Sequence, residues 1–176
     1  MKHLFTLILT VLFTLSAFAQ DEIVDIIEKS PETTTYYFIR HAEKDRSDKT
    51  NKNPNLIQSG ILRAAKWSLV LEHEKFDAVY STDYNRTKQT AQPTAEMNNV
   101  EITIYNPREL NSEEFIKNTK GKTVLVVGHS NTTPKFVNAV IGNEKYDSID
   151  DSNNANLYIV TISSSGEISD TLLVID

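Results

Sequence analysis

The chain predicts an α/β fold, a sandwich built on a mostly parallel central sheet with an antiparallel edge strand. Three observations carry this. Strand-like and helix-like segments alternate from residue 34 onward, the pattern of parallel strands joined by crossover helices. Thr34 to Arg40 (TTYYFIR) and Thr123 to Val127 (TVLVV) are near-continuous runs of β-branched, aromatic and apolar residues, as strands covered on both faces require. The chain closes on two further strand-like runs, Leu157 to Ile162 and Ile168 to Ile175, joined by Ser163-Ser164-Ser165-Gly166, a connection suited to a hairpin.

The elements can be justified in order. Residues 1–19 read as a secretory signal peptide: a short n-region with Lys2 and His3, an apolar h-region from Leu4 to Leu15, and an Ala17-Phe18-Ala19 cleavage site. The apolar run is too short to span a bilayer. A secreted or periplasmic bacterial protein with no membrane anchor after cleavage is expected. Residues 20–33 form a polar, acidic lead-in with a short helix expected at Ile23 to Ile27, and residues 34–176 form the single folded domain.

Within that domain the first strand, Thr34 to Arg40, is followed by a charged, Asn- and Lys-rich loop, Glu43 to Asn55, expected to be solvated and mobile. Ser59 to about Glu72 carries apolar residues at Ile61, Leu62, Ala65, Leu69 and Val70, a helical spacing. Phe76 to Ser81 is the second strand. A helix from Arg86 to Met97 follows, with a kink expected at Pro93. Val100 to Tyr105 is the third strand. Ser112 opens a helix to Lys120, with Glu113 and Glu114 in the first turn, where acidic side chains suit the helix dipole. Thr133 to Ile141 is the last helix, with Thr132 or Thr133 as its cap, Pro134 at its first position and Gly142 as its stop. Asn153 to Asn156 is a turn-rich linker.

Composition excludes several function classes. The chain has no cysteine, so disulfides, thiol catalysis and Cys-ligated metals are absent. Its formal net charge is −6, one unit more negative once Lys2 is removed, which argues against nucleic acid as a partner.

Two strands end in histidine, and this is where chemistry is expected. The first delivers Arg40-His41 and the fourth Gly128-His129 to the C-terminal edge of the sheet, where open α/β folds bind ligands. An arginine fork binds phosphate or carboxylate in bidentate fashion, and a neutral imidazole beside it can act as a nucleophile toward phosphorus. Arg86 stands near a helix N-terminus, the wrong end for a cation unless an anion is bound there. Gly128 permits close backbone approach. His73, between Glu72 and Glu74, reads as a solvated surface residue.

These blocks, R-H-A-E-K from Arg40, S-T-D-x-x-R-T-x-Q-T-A from Ser81 and V-x-G-H-S-N-T from Val126, occur in one order at successive strand–helix junctions. In this the chain resembles the histidine phosphatase superfamily, the phosphoglycerate-mutase-like proteins, over about Thr34 to Val174. The resemblance implies a three-layer α/β/α sandwich and a phosphatase that needs neither metal nor organic cofactor. It implies His41 as the nucleophile that becomes a phosphohistidine, with Arg40, Arg86 and His129 completing the phosphate pocket. A carboxylic acid must protonate the leaving oxygen. Glu109, in the segment after the third strand, is the best-placed candidate, and Glu43, two residues beyond His41, is a second.

The expected function is therefore an exported phosphomonoesterase acting on a small-molecule phosphoester. The chain is short between its third and fourth strands, where mutase and phytase-like members of the family insert lids. That favours hydrolysis over mutase transfer, since a mutase must shield its phosphoenzyme from water. The alternatives are a phosphohistidine protein phosphatase and a non-catalytic phosphate-binding member of the family.

Overall fold

In the computed structural model the structure describes residues 32–176. The leader over residues 1–19 and the helix expected at Ile23 to Ile27 lie outside the described residues. Along the described chain run β1 (Thr34–Arg40), α1 (Gln58–Val70), β2 (Ala78–Ser81), α2 (Asn85–Asn98), β3 (Ile102–Ile104), α3 (Glu113–Thr119), β4 (Thr123–Gly128), α4 (Thr132–Ile141), β5 (Asn156–Ile162) and β6 (Ile168–Val174). One six-stranded sheet has the order β3-β2-β4-β1-β5-β6. Strands β1 to β4 pair in parallel, β5 runs antiparallel to β1, and β6 completes an antiparallel hairpin at the sheet's edge.

Strand periodicity sorts the core into two halves. On one face Tyr36, Phe38, Val124, Val126, Tyr158 and Val160 pack against Phe115 of α3 and Phe136, Val137 and Val140 of α4. On the other, Tyr37, Ile39, Leu125, Val127 and Leu157 pack against Trp67 of α1 and Ala91 and Ala95 of α2. Two helices therefore cover each face, and the near-continuous apolar composition of β1 and β4 follows from burial on both sides. The α/β/α sandwich with its mostly parallel sheet is the architecture expected.

Several local expectations are corrected. The apolar residues that predicted α1 lie on its exposed side: Ile61, Leu62, Leu69 and Val70 are each more than 40% exposed. The buried side is Gly60, Ala64, Trp67 and Ser68. Small residues serve there because the helix approaches the chain closely; a Cβ on Gly60 would lie 2.2 Å from the Glu43 carbonyl oxygen. Helix α2 continues through Pro93 to Asn98. Strand β3 is shorter than expected, because it is an edge strand whose Thr103 and Ile104 are exposed.

Helix α3 begins as read, with the Ser112 hydroxyl accepting from the Phe115 N–H. At α4 neither threonine caps the helix: Thr132 Oγ1 accepts from His129 N–H at 3.2 Å, and Thr133 Oγ1 donates to the Ile39 carbonyl at 3.4 Å. Both hydroxyls hold the ends of neighbouring strands instead. Pro134 is the third helical residue, and Gly142 ends the helix at φ 68°.

The charged loop after β1 is exposed but tied down. Asn85 N–H donates to Asn53 Oδ1 and Leu56 N–H to Gln89 Oε1, each at 2.8 Å, so the loop's return is fixed to the first turns of α2. Pro54 and Leu56 are buried.

Candidate active site

The C-terminal ends of β1, β2 and β4 open on the same edge of the sheet, and the loop before β5 closes over it. His41 continues the β1–β4 ladder with a bond from its N–H to the Gly128 carbonyl at 2.9 Å. Gly128 is required there: a Cβ would meet Thr133 Oγ1 at 2.7 Å and the Tyr105 hydroxyl at 2.9 Å. Arg40, His41, Arg86 and His129 together line a depression of about 350 Å³.

Arg40 is 2% exposed. Its Nη1 donates to the carbonyls of Asp150, Asp151 and Asn153 at 2.8, 3.1 and 2.8 Å, and its Nη2 to Asp151 Oδ1 at 2.7 Å. Among the described residues the Nε–H has no partner. Arg86, at the start of α2, lies 4.3 Å above the Tyr84 ring. Its Nε and Nη1 are buried and have no partner among the described residues. Buried guanidinium N–H groups are costly to leave unpaired, and an anion in the pocket would satisfy them.

His41 Nδ1 lies 2.7 Å from the Ala42 carbonyl, which can only accept. The proton is therefore on Nδ1, and Nε2 keeps its lone pair. Burial, with the charge of Arg40 adding to it, pushes the His41 pKa down to about 3, so the ring is neutral at working pH. The His41 and His129 rings meet edge-on at 5.5 Å.

His129 has the opposite tautomer. Arg86 Nη2, which can only donate, faces its Nδ1 at 3.4 Å, and its Nε2–H is directed at Thr82 Oγ1 at 3.0 Å. Burial and then Arg86 push its pKa down to about 4. The one N–H of His129 is thus already engaged by Thr82, and a phosphate oxygen would compete with His129 Nδ1 for the Arg86 Nη2–H.

The two carboxylates suggested by the sequence separate. Glu109 is exposed and lines a different depression, beside Tyr80, Tyr105 and Phe115. Glu43 lines a second depression that also includes His41. Its Oε1 accepts from Arg63 Nε at 2.8 Å, while Oε2 is buried and has no partner among the described residues.

Several residues were not singled out from the sequence. Thr82 and Tyr84 sit inside the motif block, but their contacts with His129 and Arg86 come from the turn into α2. The loop Asp150 to Asn154 supplies the Arg40 clamp, and Asn154 Nδ2 donates to the His41 carbonyl at 2.7 Å. Its only sequence signal is a run of turn-forming Asp, Ser and Asn residues directly before a strand.

Comparison with known proteins agrees with this geometry. Residues 36–108 match the model of the histidine phosphatase superfamily, branch 1, which takes in Arg40, His41 and Arg86. The matched segment is less than half of the chain, and over it the chain is similar to that superfamily.

Among solved structures the chain is similar to a mycobacterial glucosyl-3-phosphoglycerate phosphatase, at 13% identity and a TM-score of 0.62 over 82% of this chain and 99% of that one. It is similar to the protein histidine phosphatase SixA complexed with tungstate, at 13% identity and 0.61 over 80% and 96%. A mutant phosphoserine phosphatase from Entamoeba histolytica in complex with phosphoserine is likewise similar, at 16% identity and 0.58 over 78% and 95%. At these identities the likeness is one of fold. Comparison with curated proteins returns no match.

Proposed function

We propose that this chain is an exported, metal-independent phosphomonoesterase that acts through a phosphohistidine on His41. The observation that supports it best is the trio of buried guanidinium N–H groups without a partner among the described residues, Arg40 Nε and Arg86 Nε and Nη1, on the two arginines that line a depression with a neutral His41. They are donors for the phosphoryl oxygens, and the imidazole is a nucleophile that needs no base to activate it. Export rests on the residue pattern of positions 1–19 alone.

The chemistry is two in-line transfers. His41 Nε2 attacks phosphorus, the ester P–O bond breaks, and the departing oxygen takes a proton from a carboxylic acid. Water then attacks the phosphohistidine, the P–N bond breaks, and the water's proton returns to that carboxylate. Glu43 is the acid best placed for this, since it lines a depression that His41 also lines and only one of its oxygens is held by Arg63. Asp151 lines it too, but both of its oxygens are held by arginines.

A second reading takes a phosphohistidine protein as substrate. It draws on the short connection at residues 105–112, which adds no helix or strand over the pocket.

The deciding experiment is hydrolysis of para-nitrophenyl phosphate in EDTA by the chain from Gln20 and its His41→Ala variant. Turnover by the parent, lost in the variant, with alkali-stable phosphate trapped on the parent protein, is the expected result. Equal turnover by both would remove His41 as nucleophile. Faster turnover of a phosphohistidine protein than of any small ester would favour the second reading.

A further inference from the structure

We infer that the substrate's alcohol carries a second anionic group, a carboxylate or a second phosphate, and that Lys44 receives it. This rests on the phosphatase reading above and names the substrate class for the same site.

His41 lines two depressions. The first, described above, holds the phosphoryl donors. The second, of about 300 Å³, is lined by Glu43, Arg46, Ser152 and Asn154. Lys44 and Asp151 line both and so mark the divide beside the nucleophile. A phosphoryl group in the first depression puts its ester oxygen toward an alcohol that can extend past this divide.

Charge explains why Lys44 needs an anion. Among the described residues Asp151 is paired with Arg40 and Arg46, and Glu43 with Arg63, but Lys44 has no ion pair and no hydrogen bond within reach. It is only partly exposed. Desolvation first, and the charges of Arg86 and Arg46 next, hold its ammonium below the usual lysine range. With Glu43 set against Arg63, the two depressions hold four cations, Arg40, Lys44, Arg46 and Arg86, and one carboxylate, Asp151, which two of the arginines share. A phosphoryl dianion offsets two of the three surplus charges. One charge remains, and Lys44 is the cation without a partner.

The phosphoryl group does not need Lys44. Arg40 and Arg86, which line the first depression, hold three guanidinium N–H groups without a partner among the described residues, as many donors as the group has non-bridging oxygens. The lysine is free to hold an oxyanion on the far part of the molecule, the role for which a flexible, pointlike cation suits.

The test compares three esters on one carbon skeleton: n-propyl phosphate, 3-(phosphonooxy)propanoate and 1,3-propanediol bisphosphate. The wild-type chain should show kcat/KM roughly tenfold or more higher for at least one anionic ester than for propyl phosphate, on the scale of one charge-assisted contact. Which of the two is preferred identifies the oxyanion. In Lys44→Met that ratio should collapse toward one, mainly through KM, and Lys44→Arg should restore much of it. A ratio near one in the wild type, or an unchanged ratio in Lys44→Met, overturns the inference. Turnover of propyl phosphate by the variant shows that it is folded. If the wild type fails to hydrolyse even para-nitrophenyl phosphate, the phosphatase reading falls and this falls with it. Hydrolysis without preference removes the second-anion site alone.

Discussion

Asp151 Oδ1 lies 2.7 Å from Arg40 Nη2, and Oδ2 of the same carboxylate lies 2.8 Å from Arg46 Nη1. A side chain 67% exposed thus orients one that is 2% exposed, from a loop more than a hundred residues further along the chain. Hydrogen bonds from Arg46 and Arg40 hold the Asp151 carboxyl at about pKa 2, so it stays ionised at working pH. It therefore does two opposed things: it positions Arg40, and its charge repels an arriving phosphate.

Two substitutions separate these effects. Asp151→Asn keeps an acceptor for Arg40 and removes the charge. Inorganic phosphate should inhibit it more tightly, by roughly threefold at low salt, the size expected for one exposed charge. Asp151→Ala removes the acceptor too. Arg40 keeps its three carbonyl partners, so the loss should be modest, a KM raised roughly fivefold. Inhibition constants and KM measured across a salt series check both. Equal behaviour of the two variants would mean that the hydrogen bond to Arg40 carries no weight.

The pH dependence follows from the two histidines. In the folded chain His41 titrates near 3 and His129 near 4, against an ordinary value of 6.5, because burial disfavours their charged forms. Both are neutral throughout the neutral range. The acid limb of kcat/KM, corrected for ionisation of the substrate, should then lie below about pH 5 rather than at 6.5. The sign for stability is the same. Above the unfolded value both states are neutral and these groups contribute no slope. As pH falls through 6.5 toward 3 the unfolded chain takes up protons that the folded chain refuses, so stability is lost over that window. Urea unfolding at pH 7.5, 5.5 and 4.5 should show a falling midpoint. A midpoint that rises on acidification would contradict the buried neutral pair.

Strand ends and helix starts were legible because local composition decides them. The run Tyr36 to Ile39 must be buried on both faces, so Arg40 and His41 fall at its end, and the same reasoning places His129. Helix α1 was legible as a helix but not in its orientation. Its apolar spacing points to Ile61, Leu62 and Leu69, while the face that packs is chosen by how closely Gly60 and Ala64 let it approach. The Arg40 clamp was not legible, because three of its four bonds end on backbone carbonyls, which leave no trace in side-chain type. The choice between Glu43 and Glu109 also depends on tertiary placement.

Thr82 is a positioning residue for His129. Its Oγ1 accepts the Nε2–H and lies 3.0 Å from Thr87 Oγ1, which in turn reaches the Thr82 and Tyr84 carbonyls at 2.9 Å. The chain of hydroxyls fixes which ring nitrogen holds the proton. Thr82→Val keeps the shape and leaves a partly buried N–H without an acceptor, at a cost of roughly 1–3 kcal/mol in stability. Turnover should fall about tenfold as the ring loses its orientation, and Thr82→Ser should recover it. The readout specific to positioning is the His129 nitrogen spectrum, which should show a mixture of tautomers in Thr82→Val and one in the wild type. An unmixed tautomer in the valine variant would leave Arg86 as the group that sets it.

Glu43 presents the clearest choice between a structural and a chemical role. One oxygen is bound to Arg63, the other is buried and without a partner among the described residues, and the residue lines a depression shared with His41. If Glu43 protonates the leaving oxygen, its importance must grow as the leaving group becomes more basic. Glu43→Gln should then lower kcat/KM for an alkyl phosphate roughly a hundredfold, within the usual range for a general acid. For para-nitrophenyl phosphate, whose leaving group needs no proton, the fall should be less than about fivefold. If Glu43 only anchors Arg63, both substrates should suffer alike, and Arg63→Met should reproduce the pattern. Glu109→Gln provides the contrast, since Glu109 lines a separate depression: it should leave the dependence on leaving group as in the wild type. A steeper dependence in Glu109→Gln than in Glu43→Gln would return the role to the carboxylate after β3.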